Sequence, residues 1–133
     1  MSILTGLVLH HNSLTSLTAL VANRAYPVGV APQSPTYPYY TFQLISTPDH
    51  ISSHQGNSRL KQVRIQFSTR AKTALEADAI ATEIISGYVG FAGMMGDVYV
   101  SGIRLANDMD DYEPTTKTYS RLIDLLMWVR PAL

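Results

Sequence analysis

Hydrophobic and polar positions alternate most cleanly across residues 61–68. There Val63, Ile65 and Phe67 point one way, and Gln62, Arg64, Gln66 and Ser68 point the other. A period of two predicts an antiparallel strand with one dry face and one wet or contact-making face. Residues 39–45 read as a partner strand, with Tyr40, Phe42 and Leu44 on one side. Residues 98–105 predict a third strand and residues 118–129 a fourth, the longest. In this last strand Tyr119, Ile123, Leu125 and Met127 share a face that Arg121 interrupts, while Leu122, Leu126 and Trp128 make the other face apolar as well. A strand apolar on both sides is predicted to be covered on both sides.

Elsewhere the apolar period lengthens to that of a helix. Ile3, Leu4, Leu7 and Val8, then Leu14, Leu17 and Val21, fall at helical spacing within residues 2–22. His10, His11, Asn12 and Ser13 interrupt this stripe, and Asn12 or Ser13 can cap a second short helix, so the spacing predicts a helix broken near residue 12. Thr73 followed by Glu76 is a capping box that opens a second helical region to about Tyr88. Its inner stripe is Ala77, Ile80, Ala81, Ile84 and Tyr88, and Gly87, Gly90 and Gly93 are expected to end it in a turn.

The connectors have distinct characters. Residues 23–42 carry Pro27, Pro32, Pro35 and Pro38, and proline fixes φ while pushing its predecessor out of the helical region. This segment must leave a helix and travel extended into the first strand. Residues 47–59 are polar, with Pro48 and Gly56, and predict a mobile loop. Residues 107–117 read as a connector. The order is therefore α-β-β-α-β-β: an α+β fold, a mainly antiparallel sheet with two helices on one face, in a single domain over residues 1–133. Two helices cover one sheet face, so the other needs a neighbour, and a second copy of the chain is the simplest one.

Composition narrows the function classes. Lys and Arg number 10 and so do Asp and Glu, giving zero net charge, which argues against a dedicated nucleic-acid binder. Charged residues are 15% of the chain, against about 25% in typical domains. A low-charge surface rich in hydroxyls suits repeated protein contact, and near-zero net charge favours self-association. Cysteine is absent, which excludes disulfides and thiolate chemistry. No basic leader precedes the short apolar run at the start, and no run approaches the roughly 20 apolar residues of a membrane span, so no membrane association is expected.

Candidate chemistry is thin. Asp108, Asp110, Asp111 and Glu113 form an acidic run that could offer oxygens to a divalent cation, but it lacks the glycine and distant glutamate of a calcium-binding hand. His50 and His54 stand four apart, yet Pro48 and the surrounding serines favour a polar loop over a zinc-chelating helix. No serine sits in a nucleophile elbow, and the glycines of residues 87–96 lack the lysine of a phosphate loop. Arg59, Lys61, Arg64, Arg70 and Lys72 read as a solvated strand edge. No cofactor is expected, and the chain is not expected to be an enzyme.

Several short motifs in order carry a family resemblance. Arg24, Tyr26 and Pro27, then Ala31-Pro32-Gln33, Pro38-Tyr39, the strand of residues 63–67, the alanine-rich helix, Gly90-Phe91, Asp111-Tyr112-Glu113 and the closing strand with Trp128 together resemble the tail completion or tail terminator proteins of long-tailed bacteriophages. The resemblance spans nearly the whole chain. It implies an α+β subunit of a hexameric ring at the head-proximal end of the tail, made in the host cytoplasm and carried in the virion. Such a ring caps the tail tube protein and docks a head-closure or connector protein, while DNA passes through its lumen without sequence readout. The assembly candidates are Pro48, His50 and His54 in the polar loop, Arg64 on the wet strand face, Asp111, Tyr112 and Glu113 in the connector, and Arg121 in the last strand. Two other readings stay open: another ring component of such a particle (a head-closure or tube subunit), or a small-ligand-binding α+β protein, which would need a pocket with convergent polar groups.

Overall fold

The computed structural model describes residues 3–46 and 61–131. Its elements are α1 (Ile3–Ser13), α2 (Thr15–Val21), β1 (Ala25–Pro27), β2 (Tyr39–Ser46), β3 (Lys61–Arg70), α3 (Ala74–Tyr88), β4 (Gly93–Met95), β5 (Val98–Glu113) and β6 (Thr118–Pro131). The strands form one sheet in the order β1-β2-β3-β6-β5-β4. Only the β1–β2 pairing is parallel. The α+β architecture expected from the pattern is therefore present, with two short strands added at the sheet edges. The polar loop of residues 47–59, and with it Pro48, His50 and His54, lies outside the described residues.

Alternation along the strands decides what becomes core. Val63, Ile65 and Phe67 of β3 are buried, as are Ile123, Leu125, Met127 and Val129 of β6. In register they stand side by side: Val63 opposite Met127, Ile65 opposite Leu125, Phe67 opposite Ile123. The helices add Leu7, Leu17 and Val21 from α1 and α2, and Ile80, Ala81 and Ile84 from α3, to the same cluster. All three helices thus pack on one face; α3 lies across β3 and β6, and α1 lies over β1, β2 and β4.

The helical break falls at Leu14, close to the predicted point, but its chemistry differs. Leu14 is the N-cap of α2 and offers no side-chain hydrogen bond, while the Ser13 hydroxyl donates backward to the His10 carbonyl at 2.6 Å. The histidines do not interrupt the helical stripe either. His11 extends it and is buried, four residues on from Leu7. In α3 the Thr73 half of the capping box forms, its Oγ1 accepting from the Glu76 backbone N–H at 3.1 Å, and the five predicted inner residues are all buried. Gly87 lies inside this helix, and its backbone carbonyl meets the ring Nε2 of His10.

Two strand expectations need correction. Leu44 shares its side of β2 with Tyr40 and Phe42 but is 41% exposed, just before a register irregularity between Leu44 and Ser46. The larger difference is residues 107–117, expected as a connector. β5 runs on to Glu113, paired with β6 as far as Glu113 opposite Thr118, after a bulge at Leu105 to Asn107. Only residues 114–117 turn the chain, with Lys117 at φ 55°. Aspartate is depleted from strands, so composition favours a loop there; ladder pairing and the positive charge of Arg121 outweigh that preference.

Candidate assembly site

The tip of the β5–β6 hairpin extends past the core. On its helix side Asp108 faces Ile123, Asp110 faces Arg121, and Tyr112 faces Tyr119 across the ladder. The two tyrosine rings are 4.8 Å apart. Arg121 stands at the centre. Its Nη1 donates to Asp78 of α3 at 2.5 Å, its Nη2 to Asp108 at 2.6 Å, and its Nε to the other Asp108 oxygen at 3.0 Å. Asp110 lies 3.1 Å from the same Nε. These carboxylates push the guanidinium pKa further up, its hydrogen bonds to Asp108 foremost. The backbone N–H of Arg121 donates to buried Thr69 Oγ1 at 2.8 Å, which fixes where the side chain starts.

Between this ribbon and the start of α3 lies an open cleft of about 650 Å³, lined by Leu75, Ala77, Asp78, Asp110, Asp111, Tyr112 and Arg121 among others. Leu75 is 83% exposed, and Tyr112 and Tyr119 are also exposed. Asp78, Asp108 and Asp110 meet the Arg121 guanidinium, and the cleft is lined by Asp78, Asp110 and Asp111 against that one positive charge, so it is negative as well as partly apolar. Glu113 does not join them; its Oε1 accepts from the Thr115 backbone N–H at 3.1 Å and shapes the turn. Among the described residues, no group of three or more histidines or carboxylates is arranged to hold a metal ion.

The second surface is the sheet face that carries no helix. β6 presents Leu122, Asp124, Leu126 and Trp128 there. Arg64 of β3 and Arg104 of β5 flank Leu126 in one row, and Gln66 and Asn107 flank Asp124 in the next. Asp124 is almost completely buried, held by Arg64 Nη2 at 2.7 Å, Arg64 Nε at 3.1 Å and Gln66 Nε2 at 3.1 Å. Arg104 lies over the Trp128 ring at 5.9 Å and Arg130 over Tyr99 at 4.5 Å. Leu122, Leu126 and Trp128 are only partly buried and Met109 is exposed. No described element reaches this side of β6, so within the single chain the strand is covered on one face, and the cover expected on the other falls to a neighbour.

A chain of the same fold exists in a virion. No family model matches this sequence, and no curated protein matches it. Among solved structures, a chain from the "Virion of native gene transfer agent (GTA) particle" shares the fold at a TM-score of 0.69 and 14% identity, over 97% of this chain and 99% of that one. The likeness is end to end.

Of the residues singled out from sequence, the hairpin gathers Asp111, Tyr112, Glu113 and Arg121. Arg64 lies apart, on the bare sheet face. Sequence reasoning missed Asp78 as a partner of Arg121, since contacts between α3 and the hairpin leave no local signal, and missed Asp108 because residues 107–117 read as a connector and not as a strand paired with β6. Asp124 was legible in principle: it is the one charge within an otherwise apolar run from Leu122 to Val129.

Proposed function

We propose that this chain is a structural subunit of a phage-like particle, a tail completion or terminator protein that closes as a ring of six. The ring caps the tail tube, docks the head connector and lets DNA through its lumen without reading sequence. The end-to-end fold likeness to a chain of the gene transfer agent virion carries this reading, and the ordered sequence motifs support it. The geometry fits a building block. One sheet face is left bare with apolar residues on it, and a hairpin projects beyond the core; both are surfaces that a neighbour buries. The hairpin cleft is wide open and its apolar residues are exposed, which suits a protein contact better than the enclosed pocket that a small ligand needs.

Negative-stain microscopy of the purified chain, and of tails assembled with and without it, tests the proposal. Closed six-fold rings, and tails of defined length that join heads only when the chain is present, are expected. Open filaments would indicate a tube subunit instead, because a heterologous contact that does not close propagates indefinitely. Normal head joining in its absence would leave the chain another role in the particle.

A further inference from the structure

Although the chain has zero net charge, two of its surfaces carry local charge of opposite sign. The hairpin cleft is lined by Asp78, Asp110 and Asp111 against Arg121, two negative charges in excess, between the start of α3 and the tip of β5–β6. The bare face holds Arg104 and Arg130, neither with a carboxylate partner among the described residues, each lying over an aromatic ring. Arg64 nearby is committed to Asp124. Along β6 the two regions are separated by the seven residue steps from Arg121 to Trp128, about 23 Å at strand rise. Both regions also carry exposed or half-exposed apolar groups: Leu75 and Tyr112 in the cleft, Leu126 and Trp128 on the face.

We infer that these two surfaces are the complementary halves of one contact, the acidic cleft of one copy seating the basic, aromatic face of the next. The proposal rests on the ring reading above and names the contact that would build it. The occupant follows from charge and chemistry. Each surface alone is a poor partner for its own copy, since acid would meet acid and base would meet base, whereas cleft against face pairs opposite charges and apolar groups together. The two patches differ and sit at opposite ends and on opposite sides of the sheet, so the contact is heterologous. Contacts of that type generate rings or filaments, not two-fold dimers.

The test is a charge swap in the full chain. Asp110→Lys with Asp111→Lys makes the cleft basic at exposed positions and leaves Asp78 and Asp108 on Arg121. Arg104→Glu with Arg130→Glu makes the face acidic. Circular dichroism first establishes that both variants fold. Sedimentation at protein concentrations up to about 1 mM and about 50 mM salt, where charge contacts are least screened, should then show self-association of the wild type. Each variant alone should associate at least about tenfold more weakly. Their equimolar mixture should recover assembly, because each basic cleft now finds an acidic face and each acidic cleft a basic one. Closed rings that neither double substitution disturbs would overturn this contact and leave the ring reading standing. Wild-type filaments abolished by either variant and restored on mixing would uphold the contact and remove the ring. A wild type that stays monomeric throughout, or a mixture that fails to recover, overturns the contact.

Discussion

His11 shows how a single buried polar side chain can tie helices to sheet and make the fold sensitive to pH. Its Nε2 donates to the Ala22 carbonyl at 2.7 Å, so in the neutral ring Nδ1 is free to accept from the Tyr40 hydroxyl at 2.7 Å. Tyr40 meets the Tyr88 hydroxyl at 3.4 Å, and Tyr88 donates toward the Leu7 carbonyl at the same distance. Burial raises both tyrosine pKa values far from the physiological range and lowers that of His11, with the neighbouring His10 adding to the latter. The sign follows. Unfolded chains bind the His11 proton below about 6.5 and the folded chain resists it. His11 thus contributes full stability above that pH and loses it as pH falls toward the lowered folded value. The unfolding free energy from urea titrations should decline as pH falls below about 6.5, by at most about 1.4 kcal/mol per pH unit for one proton. The decline should flatten in His11→Gln; an unchanged slope would assign it to other groups. Arg64 and Asp124 give a second test at this scale. Arg64→Met leaves a nearly buried carboxylate without its main partner and should cost about 1–2 kcal/mol, kept below the fully buried range because Arg64 is itself partly exposed. Asp124→Leu in the same chain should recover most of that loss in chemical denaturation. If it recovers nothing, the pair is not what holds the two strands there.

Among the elements, α3 was the most legible, because every level of its sequence agrees. The Thr73 cap, the Glu76 partner and the small inner alanines all point to one helix on one sheet face. The hairpin tip was the least legible. Asp108, Asp110 and Asp111 read locally as a connector, and their strand exists because β6 runs alongside and Arg121 gathers two of them. β1 and β4 are only three residues long and carry no alternation to detect. A close approach between elements is equally invisible in one dimension. A Cβ on Gly6 of α1 would stand 2.6 Å from the Met95 carbonyl oxygen of β4, a backbone atom that cannot swing away. Gly6→Ala gains about 1 kcal/mol in helix propensity, but pushing the helix off the sheet edge costs about 1–3 kcal/mol. A net loss is therefore expected, with a fall of a few degrees in melting temperature. Gly102→Ala meets nothing within 4 Å and serves as the control. A stabilised Gly6→Ala protein would mean that α1 and β4 are not in contact in solution.

For the whole molecule, the unusual economy is that six strands are served by helices on one side only. A free subunit must then keep an apolar face in water, which the half-exposed Arg64–Asp124 pair and the Arg104 stack over Trp128 make tolerable without covering it. The chain's single tryptophan lies on that face, so its fluorescence reports on the face alone. In dilute protein Trp128 is partly exposed and should emit at long wavelength and be open to acrylamide. When a neighbour covers the face, its emission should shift to the blue and quenching should fall severalfold, following the same concentration dependence as light scattering. Trp128→Phe keeps an aromatic ring beneath Arg104, so it should fold with nearly unchanged stability while losing the signal. Trp128→Ala removes the ring from a half-exposed site, where the loss of stability should stay near about 1 kcal/mol, below the 3–5 kcal/mol of a core aromatic. The same change should weaken association by at least about tenfold, since central aromatic residues dominate interface energetics. Assembly with no change in Trp128 emission would mean that neighbours meet elsewhere and leave the bare face to a different partner.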